Sequence, residues 1–70
     1  MKTYMYLIDL ERSVGSGFVC YWRPNRRGYT TEISEAGKYI DVEAIRIVQS
    51  DLDNTTVMIR VDQVEKIIKY

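Results

Sequence analysis

Histidine is absent from this chain, and cysteine, proline and tryptophan each occur once. Each scarcity removes a class of function. Without histidine there is no imidazole to serve as a general base near neutral pH, and Cys20 has no co-ligand for a zinc site. A single cysteine cannot close an internal disulfide. No apolar run approaches the roughly 18 residues of a bilayer-spanning helix. The opening residues, Met1-Lys2-Thr3-Tyr4, lack the basic region, apolar stretch and small-residue cleavage site of a secretion signal. The expectation is a cytoplasmic, reducing setting, with no cofactor, metal or membrane. An excess of one charge sign is missing too. Ten basic and ten acidic residues cancel, so no overall field draws the protein to nucleic acid or to an anionic surface.

With 70 residues there is length for one domain, 1–70, and no second core. A domain of this size buries only about 60% of its unfolded surface. Small domains add disulfides, a metal or a partner subunit. The first two are excluded here, which leaves tight packing or self-association. A homodimer through an unpaired edge strand or an exposed apolar face is therefore expected.

What is present is mostly period-two alternation. "TYMYLIDL" (3–10) sets Tyr4, Tyr6, Ile8 and Leu10 against Thr3, Met5, Leu7 and Asp9, a strand with both faces partly covered. "ERSVGSG" reads as a loop. Its Gly15-Ser16-Gly17 begins like a dinucleotide fingerprint, but Cys20 holds the third glycine position and no helix follows. "FVCYWR" is a second strand, with Phe18, Cys20 and Trp22 on one face. Pro24-Asn25 stops it, Gly28 closes the turn, and "YTTEI" returns as a third strand. A turn from Ser34 ends at Gly37, read as left-handed. Asp41 then N-caps a helix over about 42–50, with Ala44, Ile45, Ile47 and Val48 on one arc. After the turn "SDLDN", "TTVMIRV" is the clearest strand. Asp62 and Glu65 resemble a capping box for a short last helix with Val64, Ile67 and Ile68 inward. The order β-β-β-α-β-α is an α+β fold: a small antiparallel sheet with one or two helices packed on one face.

No catalytic set emerges. Cys20 alternates with Phe18 and Trp22 and has no base to make it a thiolate, so it reads as a packed, inert thiol. Glu32 and Glu35 have no cleft to give them the unequal environments of an acid–base pair. "CYWRPNRRGYTTEISEAGKY" (20–39) stands apart. Tyr21, Arg23, Arg26, Arg27 and Tyr29 are the candidate partner-binding residues, because arginine and aromatic side chains dominate interface hot spots. Arginine with aromatics also suits single-stranded nucleic acid, although the zero net charge weighs against it. The competing reading makes Trp22 and Tyr29 core anchors and the arginines a solvated hairpin tip.

The run "YWRPNRRGYTTEISEAGKYIDVEA" resembles a class of small bacteriophage and prophage accessory proteins. These share the pattern W-[RK]-P-N-x-x-G-Y-T-x-x-I-x-E-A-G-x-Y, matched here by Trp22, Arg23, Pro24, Asn25, Gly28, Tyr29, Thr30, Ile33, Glu35, Ala36, Gly37 and Tyr39. The resemblance covers about a third of the chain. It implies a non-enzymatic phage product in a bacterial host cell that binds and inhibits or modulates a host protein complex, of the anti-defence or anti-CRISPR kind. Arg26 and Arg27 fall at the free positions of the pattern. The matched positions are expected to specify the fold, and the binding surface to lie on less constrained residues.

Overall fold

Every sheet contact but one runs through the first strand. The computed structural model describes residues 2–68. In it β1 (Tyr4–Asp9) pairs along one edge with β5 (Thr56–Arg60), from Met5 opposite Arg60 to Asp9 opposite Thr56. Its other edge is shared by two short strands. β4 (Tyr39–Ile40) takes Tyr4 and Met5, and β2 (Cys20–Trp22) takes Ile8 and Asp9. β3 (Tyr29–Thr30) extends the sheet from β2. All these pairs are antiparallel, and three helices complete an α+β fold.

Cross-strand partners share a face, so the register divides the side chains into two sets. Met5, Leu7, Trp22 and Tyr39 fall on the face covered by α2 (Asp41–Ser50), where Ala44 and Ile47 complete a buried cluster. Tyr6 and Tyr21 lie on the opposite face, their rings meeting edge-on at 5.9 Å. Both faces of β1 are thus buried, as its mixed pattern predicts. The α2 stripe is narrower than expected: Ala44, Ile47 and Val48 sit at the i, i+3, i+4 spacing of one face, while Ile45 is 40% exposed at its rim.

Several boundaries differ from the sequence reading, each for a local reason. Residues 10–16 are not a loop but a helix, α1 (Leu10–Ser16). Asp9 caps it by accepting the Arg12 N–H at 3.0 Å, and Gly17, at φ 79°, closes it with a bond to the Ser13 carbonyl. Ser13 Oγ also accepts the Cys20 N–H at 2.8 Å, which ties α1 to β2. β2 begins at Cys20, so Phe18 does not share a buried face with Trp22 and is 69% exposed. The third strand stops at Thr30, because its hydroxyl accepts the Glu32 N–H and turns the chain into a 3-10 turn at Ile33–Glu35. Asp41 lies inside α2, whose N-cap is Ile40. Asp62 likewise falls within α3 (Val61–Ile68), its carboxylate paired with Arg60 Nη2 at 2.8 Å rather than capping the helix. The side chains of Glu65, Ile67 and Ile68 lie outside the described residues.

Asp51 organises the turn from α2 into β5. Its carboxylate accepts the N–H groups of Asp53 (3.2 Å), Thr55 (2.8 Å) and Thr56 (2.7 Å). Partial desolvation pushes its pKa upward, but the hydrogen bonds from Thr56, Thr55 and Asp53 outweigh it and hold the carboxyl below its ordinary value. A depressed folded-state pKa stabilises above the unfolded value of about 3.9, and the gain is lost as pH falls through the folded one. Asp51→Asn should therefore lower the urea midpoint at neutral pH, and the gap to wild type should narrow on acidification below about pH 3. An equal gap at both pH values would show that the carboxylate charge contributes nothing.

Candidate functional site

The corner at residues 22–39 is built around one phenol. Tyr39 is buried, and its hydroxyl donates to the Arg23 carbonyl while accepting the Arg26 N–H at 2.9 Å. It thereby fills the turn that Pro24 begins. Asn25 and Arg26 both adopt φ 58°, a left-handed backbone that costs an arginine about 1 kcal/mol or more. Gly28, at φ 93°, completes the reversal, and Arg23 N–H closes it on the Gly28 carbonyl at 2.8 Å.

The returning segment presses against this turn from outside. Gly37 N–H donates to the Trp22 carbonyl at 2.8 Å. Gly37 is not left-handed, contrary to the expectation from sequence: its φ is not positive, and the need for glycine is steric. A Cβ there would lie 2.8 Å from both the Pro24 nitrogen and Cα. Arg23 completes the lock, with Nε donating to the Tyr29 carbonyl at 3.1 Å and Nη2 lying 3.6 Å from Glu35 Oε2. Thr30 Oγ1 donates to the same Glu35 oxygen at 3.3 Å. Glu35 is thus a structural tie.

These contacts separate the five candidate residues. Arg23 is engaged within the corner. Tyr29 carries the Arg12 guanidinium 4.1 Å above its ring and meets Trp22 edge-on at 5.9 Å. Tyr21 sits on the other face of the sheet, where partial burial and the neighbouring Tyr6 push its phenol pKa upward. Of the five, Arg26 and Arg27 are exposed as whole residues, and neither has an ion-pair partner among the described residues, whereas the partly exposed Arg23 guanidinium is held by Tyr29 and Glu35. The Trp22 indole Nε1 is buried without an oxygen acceptor. The indole ring itself packs edge-on with Tyr29 and Tyr39.

Beside the corner lies an open cleft of about 270 Å³, lined by Asp9, Trp22, Arg26, Tyr29, Ile47 and Asp51 among others. Sequence reasoning missed the contributions of Asp9, Arg12 and Asp51, since α1 and the α2–β5 turn bring them in from remote segments. The one sequence signal for Tyr39 was its place at the end of the aromatic and arginine-rich run 20–39. Among the described residues no group of acidic, cysteine or histidine side chains could hold a metal ion, and no helix is long and apolar enough to cross a membrane. No protein-family model, no curated protein and no solved structure matches the chain.

Removing the central hydroxyl in Tyr39→Phe leaves the Arg23 carbonyl and the Arg26 N–H unpartnered. A loss of about 1–3 kcal/mol in denaturant unfolding is expected. Gly37→Ala should cost at least as much, about 1–3 kcal/mol from overpacking against backbone that cannot yield. Wild-type stability for either variant would show that the corner is not held this way.

Proposed function

We propose that this protein is a non-enzymatic interaction module that binds a protein partner through Arg26 and Arg27, with Tyr29 at the rim of the adjoining cleft. The observation that carries the reading is the state of these two arginines. Both are exposed and have no ion-pair partner among the described residues, and the turn that carries them is fixed: the buried Tyr39 hydroxyl holds Arg26 at φ 58°, and Arg27 N–H closes on the Pro24 carbonyl at 3.2 Å. A fixed arginine loses less freedom on binding than one on a loose loop, which is what an interface anchor requires. The resemblance to phage accessory proteins supplies the setting: a bacterial host cell, with a host protein complex as the target to be inhibited or modulated.

The chemistry of the remaining candidates supports a role without catalysis. Cys20 is buried, and its sulfur lies 3.6 Å from Ser16 Oγ and 3.7 Å from the Phe18 carbonyl, with no cationic partner among the described residues. Cys20→Ala should cost roughly 1 kcal/mol of stability and leave partner binding intact. Loss of partner binding in the folded variant would overturn that role.

Nucleic-acid binding is the second reading, and the cleft weighs against it. Asp9 and Asp51 line the space that Arg26 borders, so a phosphate chain would meet carboxylates there. The basic residues Lys2, Lys38 and Arg60 lie near Tyr4, at the other end of β1 from Asp9, and share that place with the carboxylate of Asp62. The test uses the double substitution Arg26→Glu plus Arg27→Glu. It should leave the fold intact and abolish nuclease-resistant capture of a discrete partner from bacterial lysate. Random single- or double-stranded DNA or RNA should not bind appreciably at ~150 mM salt, since even three clustered arginines give a salt slope of only about 2 on single strands and about 3 on duplex. Micromolar nucleic-acid affinity with a steeper slope would favour the second reading. Unchanged partner capture by the double variant would reduce the hairpin to a solvated turn.

A further inference from the structure

β5 is an outer strand, and which of its backbone groups face away from β1 follows from two hydrogen bonds. Leu10 N–H donates to the Thr55 carbonyl at 2.7 Å. That makes Leu10–Thr55 a hydrogen-bonded pair, so by antiparallel alternation Ile8–Val57 and Tyr6–Ile59 are hydrogen-bonded pairs as well. Thr56, Met58 and Arg60 therefore point their N–H and C=O groups outward. The Thr56 N–H agrees, since its acceptor is Asp51 Oδ2 at 2.7 Å. Arg60 directly precedes α3, and its carbonyl begins that helix's bonding ladder. Four outward groups remain: Thr56 C=O, both groups of Met58, and Arg60 N–H. No hydrogen bond reaches them among the described residues.

We propose that this edge pairs with the same edge of a second copy of the chain, antiparallel about a two-fold axis at Met58. In that register each Met58 N–H donates to the other copy's Met58 carbonyl, and each Arg60 N–H donates to the other copy's Thr56 carbonyl. Every free group is used once. The two groups left over, Thr56 N–H and Arg60 C=O, are the two already bonded within the chain, to Asp51 and to α3. The ladder flares at those ends, and there Arg60 of one copy, whose Nη2 also pairs with Asp62 of its own chain at 2.8 Å, comes opposite Thr56 and so toward Asp51 of the other. Side chains match as well. Val57 comes opposite Ile59, and Met58 opposite Met58, burying apolar surface that is 37% and 38% exposed at Val57 and Met58. No proline or bulge blunts the edge. An unrelated strand could make the two central bonds, but it would bring no arginine to Asp51. The surface is separate from the arginine hairpin, so either can fail without the other.

Sedimentation equilibrium at ~0.1 mM should give a concentration-dependent dimer. Met58→Pro removes an outward N–H and spares the β1 ladder, so the variant should stay folded and associate roughly tenfold or more weakly. Met58→Lys places like charges opposite each other at the axis and should act in the same direction. Amide exchange needs no variant. The Met58 and Arg60 amides should be protected in the dimer and exchange quickly on dilution, while Val57 and Ile59 stay slow at both concentrations. Arg26→Glu plus Arg27→Glu should leave association unchanged. A wild-type monomer at ~0.1 mM would overturn the proposal. So would a dimer whose Met58 and Arg60 amides exchange rapidly.

Discussion

The buried hydroxyl of Tyr39 is the constraint on which the rest of the corner depends. Two polypeptide segments distant in sequence, the Arg23–Arg26 turn and β4, must approach closely enough to share a hydrogen bond in each direction. That closeness demands glycine at position 37, with extended backbone at Arg23 before Pro24 and left-handed backbone at Asn25 after it. It also positions Trp22 so that its ring meets those of Tyr29 and Tyr39 edge-on. The aromatic cluster, the turn and the sheet junction are consequently one unit. It spans the gap where β1 changes partner from β2 to β4.

This arrangement divides the residues of the corner by role. Trp22, Arg23, Gly28, Thr30, Glu35, Gly37 and Tyr39 spend their hydrogen-bonding or steric capacity on one another. They are committed to holding the corner together. Arg26 and Arg27 reach solvent instead. A rigid frame can carry such exposed side chains without the fold depending on their identity.

Much of the fold was legible in the sequence because β1, α2 and β5 carry strong periodicity, and their mutual packing enforces it. The short elements were less legible. α1 contains Gly15 and buries none of its residues, so no apolar stripe marks it. It exists because Asp9 and Gly17 satisfy its ends, and because Ser13 is tied to β2. β4 has two residues, too few for any period. Gly37 was recognised as special for the wrong reason, since sequence cannot distinguish a glycine needed for its dihedral angles from one needed for its missing side chain. The candidate site was legible as a cluster but not as a division of labour. Nothing in "YWRPNRRGY" states that Tyr21 faces away, or that Arg23 closes on Glu35.

The central position of β1 governs how this chain can come into being. Its longest pairing partner is β5, and the two are separated by most of the chain. The middle strand is therefore made long before its main partner, and the sheet cannot close until residues 56–60 are available. Closing so long a loop delays the reward for every earlier contact, which favours slow, all-at-once folding over stepwise growth from the N-terminus. The two tyrosines and leucine of β1 remain unshielded throughout that interval. Synthesis that pauses before residue 56 would leave a sticky, half-made sheet rather than a smaller folded one.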